Sequence, residues 1–195
     1  MPIFLNSKDK QAYLDYFDNS GDIWVFAYGS LIWRPDFPYI SSHRAKLLGY
    51  HRAFCLRSYH YRGTETCPGL VLALNKGGEC DGVVLKISPG HEYETLEALW
   101  MREMISYAYK PMLHPLTLDA TDQEIQALTF VIDTEHTQYA GDLSEDEVLK
   151  SILQAEGSAG KNVDYLLQTH NCLKEMNIND DYIASLAHKA MKVIS

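Results

Sequence analysis

No stretch of this chain comes near the roughly 20 consecutive apolar residues that a membrane-spanning helix requires. Met1 to Lys10 is polar and lacks the basic-then-apolar order of a secretory leader. A cytoplasmic globular protein with no membrane partner is therefore expected. Cysteine is sparse: Cys55, Cys67, Cys80 and Cys172 are widely spaced, with no C-x-x-C pair and no histidine at a zinc-ligand interval. They read as reduced structural thiols, and no metal site is expected. Positive charge is short as well, with 17 Lys and Arg against 26 Asp and Glu and a formal net charge of −9. Nucleic-acid backbones are held by clusters of cations, so no nucleic-acid partner is expected. The basic residues that do collect, Arg44, Lys46, Arg52, Arg57 and Arg62 among aromatics, suit a small anionic ligand better than a polymer. There is no internal repeat, low-complexity tract or linker, so residues 1–195 read as one domain. A domain of that size buries roughly 70% of the surface its unfolded chain would expose, enough for a core without staples. The sequence sets no oligomeric state.

What is present is a strand-rich half followed by helices. Ser7 to Phe17 suits a short amphipathic helix with Tyr13, Leu14 and Phe17 inward. Strands are expected at Ile23–Tyr28, Ala45–Leu56, Gly69–Leu74, Gly82–Ile87, Met112–Leu118 and Gln126–Ile132, parted by turn-like stretches such as "NKGGECDG" and "DATDQE". One helix interrupts them, from about His91 to Ser106. Ser144 and Glu147 have capping-box spacing at the head of "SEDEVLKSILQAEG", with Gly157 placed to stop the helix. Two more helical segments follow, the last with an inward stripe of Ile183, Leu186, Ala187, Ala190 and Ile194. The class is α+β: a small barrel or strongly curled sheet with a C-terminal helical layer.

Two places invite chemistry. In "FAYGSLIW", residues 26 to 33, Gly29 and Ser30 break a strand-forming run that resumes at once. The glycine marks a strand end, or a place where backbone N–H groups approach a ligand closely. In "EYETLEALWMREMI", Leu96, Leu99, Trp100 and Glu103 fall at i, i+3, i+4 and i+7, so a carboxylate shares the stripe that should be buried. Burial raises a carboxylate's pKa and makes it a proton acceptor or donor near neutral pH; alternatively Glu103 pairs with an arginine or reaches water at the helix end. "GSAGKN", Gly157 to Asn162, lacks the glycine interval and the hydroxyl of a phosphate loop. His60 and His114 read as structural. Tyr109 and Tyr139 each border a break, "YKP" and "YAG", where a hydroxyl can face a pocket.

Taken together, "VFAYGSLIWRPDFPY", "LLGYHRAFCLRSYHYRGT", "PGLVLAL", "LWMREMISYAY" and "YAGDLSEDEVLKSILQAEGSAGKNVDYL" resemble the ChaC family of glutathione-specific γ-glutamylcyclotransferases, over roughly Trp24 to Leu173. The resemblance implies a γ-glutamylcyclotransferase-like small β-barrel with flanking and C-terminal helices. It also implies cleavage of glutathione to 5-oxoproline and cysteinylglycine, with no metal or organic cofactor. The family's loop for the γ-glutamyl moiety maps onto Tyr28, Gly29, Ser30 and Leu31, with Ile32 alongside, and its catalytic glutamate onto Glu103. Tyr109 and Tyr139 match tyrosines of the family's pattern and would orient the γ-glutamyl group. Members commonly carry Gly where Ala27 stands, which would narrow the loop's mouth. Two other readings use the same residues: a cyclotransferase for other γ-glutamyl amino acids or amines, and a non-catalytic γ-glutamyl-binding protein.

Overall fold

The computed structural model describes residues 1–18, 21–119, 121 and 123–194. In chain order it has β1 (Ile3–Phe4), α1 (Lys10–Asp15), β2 (Trp24–Ala27), a 3-10 turn (Ser30–Ile32), β3 (Tyr39–Ser58), β4 (Gly69–Ile87), α2 (Glu92–Glu103), β5 (Tyr109–Thr117) and β6 (Glu124–Ile132). Then follow α3 (Glu145–Gln154), β7 (Glu156–Gly157), β8 (Gly160–Lys161), α4 (Asn162–Glu175) and α5 (Asp181–Ile194). The class is α+β. A six-stranded sheet runs in the order β1-β5-β6-β2-β4-β3, and β6 pairs with β4 as well as with β2, which curls the sheet. None of the described helices is long and apolar enough to cross a membrane.

The chain divides into two compact units, residues 1–51 with 76–133, and residues 52–75 with 134–195. It passes from one to the other within the long strands β3 and β4 and again just after β6. In the first unit, β2 is central in the sheet, between β4, antiparallel, and β6, parallel, and all four of its residues are buried. That explains its unalternating run of Trp24, Val25, Phe26 and Ala27. Asp9 starts α1 by accepting hydrogen bonds from the N–H groups of Gln11 and Ala12, so the helix begins three residues later than Ser7. Its inward side is Tyr13 and Leu14, with Phe17 just beyond. The Tyr13 ring lies 5.0 Å from that of Trp100 on α2, and Lys10 Nζ donates to Glu97 Oε1 at 2.5 Å.

Several boundaries differ from the sequence reading. The "NKGGECDG" stretch is not a break between two strands but part of β4, a continuous strand of 19 residues. Gly77 and Gly78 adopt positive φ (99° and 68°), a backbone that glycine takes without steric cost, and Gly77 O bonds the His51 ring at 2.9 Å. Of the turn expected at 119–124, residues 120 and 122 lie outside the described residues.

In the second unit, α3 carries the expected capping box: Ser144 Oγ accepts from Glu147 N–H while Glu147 Oε2 accepts from Ser144 N–H. The helix stops at Gln154, before Gly157, because Glu156–Gly157 turns into the β7–β8 hairpin. Asn162 is fully buried and acts as a piece of strand. Its Oδ1 accepts from Leu70 N–H at 2.7 Å and its Nδ2 donates to Leu70 O at 2.8 Å. The "GSAGKN" stretch thus ends in a structural lock. On α5, Ile183, Leu186, Ala187 and Ala190 are buried as the stripe predicts, but Ile194 is exposed at the helix end. All four cysteines are free thiols, and burial pushes Cys55 up to about 12, which keeps it unreactive.

Candidate active site

The "FAYGSLIW" break is a 3-10 turn. Gly29 precedes it, buried, with φ −134° and ψ −132°, and Ile32 N–H donates to Gly29 O at 2.9 Å. Such a turn leaves its first N–H groups, here those of Ser30 and Leu31, without partners inside the turn. Leu31 and Ile32 bury their side chains in the core and anchor it. Tyr28, one residue before Gly29, donates its hydroxyl to Phe130 O at 3.1 Å, and Ala27 is buried inside β2. Tyr109 opens β5 opposite Ile132 and is 8% exposed.

Glu103 is the last residue of α2, not an interior one; the helix ends three residues before the expected Ser106. Its side chain is 16% exposed, more open than the buried Leu96, Leu99 and Trp100 of the same stripe. Burial pushes the carboxyl above the ordinary carboxylate range, and the Arg102 charge and hydrogen bond oppose that rise without cancelling it. Glu103 is at once largely buried and paired with an arginine, because Arg102 Nε lies 3.1 Å from Glu103 Oε1.

Sequence reasoning alone passes over Arg102. Its guanidinium donates to Ser30 Oγ at 2.8 Å through Nη2, and through Nη1 to Arg34 O at 2.7 Å and Asp36 Oδ2 at 3.2 Å. One planar fork therefore joins the carboxylate at the end of α2 to the turn after β2, 72 residues away in the chain. The only local signal is the adjacency of Arg102 and Glu103. Tyr13 reads in the sequence as packing alone. Its hydroxyl is buried without a hydrogen-bond partner, and burial with the neighbouring Glu103 charge raises its pKa.

The first unit thus brings Ser30 and Glu103 together through Arg102, with Tyr28, Gly29, Leu31 and Ile32 in the same segment as Ser30. Tyr139 belongs to the second unit. There it bridges to Leu56, and its hydroxyl lies 3.3 Å from Asn75 Oδ1. Gly141 makes its posture possible: a Cβ at residue 141 would sit 1.9 Å from the Tyr139 hydroxyl oxygen. Among the described residues, no group of three or more His, Cys, Asp and Glu is arranged to hold a metal ion.

The family described as "ChaC-like protein" matches residues 23–193. The chain belongs to the ChaC family. This ChaC-family protein is 34% identical over 177 residues to a glutathione-specific gamma-glutamylcyclotransferase of Escherichia coli K12, covering 91% of this chain and 76% of the relative. It is 34% identical over 158 residues to glutathione-specific gamma-glutamylcyclotransferase 1 of Homo sapiens, covering 77% and 70%. Its fold matches the crystal structure of a selenomethionine-labelled glutathione-specific γ-glutamyl cyclotransferase from yeast, with a TM-score of 0.80 at 23% identity over 89% of this chain and 97% of that one. The α1 helix precedes the matched span.

Proposed function

We propose that this ChaC-family protein is a γ-glutamylcyclotransferase that cleaves glutathione to 5-oxoproline and cysteinylglycine, with Glu103 as the base and then the acid. The observation that carries the residue assignment is the half-buried Glu103 carboxylate, tied through Arg102 to Ser30 on the turn after β2.

The substrate's α-amine must attack its own γ-carbonyl, and at neutral pH that amine is mostly an ammonium. The Glu103 carboxylate takes one ammonium proton, and the freed lone pair adds to the γ-carbon. The tetrahedral oxyanion, whose ring nitrogen still carries two protons, then collapses: Glu103 returns its proton to the cysteinyl nitrogen as the bond to that nitrogen breaks, and the second proton passes from the ring nitrogen to the departing amine, which leaves as an ammonium. Five-membered ring closure yields 5-oxoproline, with no water consumed. Because nucleophile and electrophile belong to one molecule, positioning supplies most of the advantage; oriented intramolecular reactions reach effective molarities of about 10⁵ to 10⁸ M. The N–H groups at the start of the 3-10 turn suit the developing oxyanion or the substrate's carboxylate. A carboxylate pKa raised by burial, with an arginine to limit the rise, suits a group that accepts and releases one proton in a single turnover. By family resemblance, the Tyr109 hydroxyl orients the γ-glutamyl group.

The test is to incubate the protein with reduced glutathione and, separately, with γ-glutamyl-alanine, following 5-oxoproline by mass spectrometry. Glutathione is expected to yield 5-oxoproline far faster, and Glu103→Gln to abolish it in a folded protein. Binding of glutathione without its consumption would overturn the enzymatic reading. An active Glu103→Gln would overturn the base assignment alone.

A further inference from the structure

We infer that Arg102 is a positioning residue for this reaction: its guanidinium holds the Glu103 carboxylate against the Ser30 turn. The inference rests on Glu103 being the base. Four acceptors converge on one side chain: Glu103 Oε1 at 3.1 Å, Ser30 Oγ at 2.8 Å, Arg34 O at 2.7 Å and Asp36 Oδ2 at 3.2 Å. They come from the end of α2 and from the segment after β2, so the guanidinium spans the two parts that hold the proposed base and the proposed substrate turn. A guanidinium does this where an ammonium cannot, because its donors point in fixed, diverging directions in one plane. The side chain is 25% exposed, so the contact with Glu103 is only partly screened by water.

The surroundings separate the charge terms. Arg102 is the cation beside Glu103. From α1 the facing titratable group is the Tyr13 hydroxyl, neutral at working pH, while Lys10 is engaged with Glu97. From the segment after β2 comes Asp36, which also pairs with Arg34 at 3.1 Å and bonds Arg102, but is not an ion partner of Glu103. Asp36 therefore acts on the base by drawing the Arg102 guanidinium toward itself and partly away from Glu103. Loss of Arg102 leaves burial unopposed and makes Glu103 harder to ionise. Loss of the Asp36 charge frees Arg102 and makes Glu103 easier to ionise.

The experiment is the pH dependence of glutathione turnover for wild type, Arg102→Ala, Arg102→Lys, Asp36→Asn and the double variant Arg102→Ala/Asp36→Asn, each first checked for folding by circular dichroism. Asparagine suits residue 36, whose φ is +58°. Arg102→Ala is expected to move the ascending acid limb of kcat to higher pH and to lower kcat about 100-fold, the scale of a misplacement near 1 Å. Arg102→Lys restores most of the limb position but little of kcat, since one ammonium cannot bridge the same acceptors. Asp36→Asn moves the limb the other way, to lower pH, and this shift vanishes in the double variant. An acid limb that stays put in Arg102→Ala, or an Asp36→Asn shift that persists without Arg102, overturns the inference. If Arg102→Ala does not fold, Arg102→Lys and Asp36→Asn test the same point: wild-type kcat in the first together with a wild-type limb in the second overturns it. Failure of the underlying reading looks different, because Glu103→Gln would then stay active whatever the Arg102 variants do.

Discussion

The second unit and the α1–α2 pair of the first use buried polar groups in opposite ways. In the second unit, polar side chains are spent on the backbone and on one another. Asn162 completes the hydrogen bonding of Leu70, and the buried Thr169 hydroxyl donates to Tyr165 O at 2.8 Å. Arg52, nearly fully buried, pairs with Asp180, whose other oxygen accepts from Ile183 N–H at 3.0 Å and caps α5. In the first unit, the α1–α2 pair keeps polar groups unsatisfied or under tension. Both buried side-chain oxygens that lack a partner among the described residues, the Tyr13 and Thr95 hydroxyls, are there. So is Glu103, whose burial opposes its charge. A satisfied polar group adds stability and fixes a unique packing; one held against its preference is a cost that a scaffold alone does not need. The comparison gives the second unit's polar core an architectural part and fits the chemistry proposed for the end of α2.

Replacing Glu103 by Gln should break the contrast most sharply. Turnover is expected to fall by about 10²-fold or more, the range of a lost general acid–base group. Stability should move the other way. A carboxyl whose folded pKa is raised binds protons more tightly folded than unfolded, so the wild type loses stability as pH climbs from the ordinary carboxylate range through the raised folded value. Glu103→Gln removes that loss. Its melting temperature should exceed the wild type's at pH 7, and the advantage should fade near pH 4. Calorimetry at the two pH values checks this; an equal difference at both would mean that Glu103 is not held against its charge.

In the second unit the signs reverse. Asn162→Ala should cost about 2–4 kcal/mol, because it orphans a buried N–H and a buried C=O at Leu70. Turnover per folded molecule should be unchanged. Urea unfolding with activity normalised to the folded fraction measures both, and lost kcat in a fully folded variant would blur the division.

Tyr139 sharpens the comparison, since it lies in the architectural unit and yet the family resemblance implies a role for it in binding. Tyr139→Phe should raise KM and lower kcat/KM about tenfold while changing stability by less than about 0.5 kcal/mol. Gly141→Ala, which drives a methyl into the ring's place, should give the same kinetic phenotype. Wild-type kinetics for both would return Tyr139 to the scaffold. The smallest effect is expected from Tyr13→Phe. Deleting an unpaired buried hydroxyl should leave stability unchanged or raise it by up to about 1 kcal/mol, read from the urea midpoint. A destabilised variant would show that the hydroxyl has a partner in solution.

Much of the candidate site was legible because its signals are local. The strand-then-glycine break at Gly29 shows in the sequence as a change of propensity, and Glu103 as a fault in the apolar phase of α2. What was not legible was where the fault leads. Helical phase places Glu103 on the buried stripe but does not reveal that α2 ends at that residue, which lets its carboxylate meet Arg102 at the helix terminus. The β4 boundary failed for a related reason. Gly77 and Gly78 signal a change of backbone direction, and whether the strand ends there or runs on depends on whether a partner strand continues alongside.

The sequence by itself determined the class, the C-terminal helices, the Ser144 capping box and the family, because periodicity, caps and motif order act over a few residues and survive in any compact arrangement. Only the tertiary structure decided the partners of the polar groups: Ser30 with Arg102, 72 residues apart, Leu70 with Asn162, 92 apart, and Arg52 with Asp180, 128 apart. Local propensity carries no record of such pairings. They form when chain folding brings their segments together and burial penalises every polar group left without a partner.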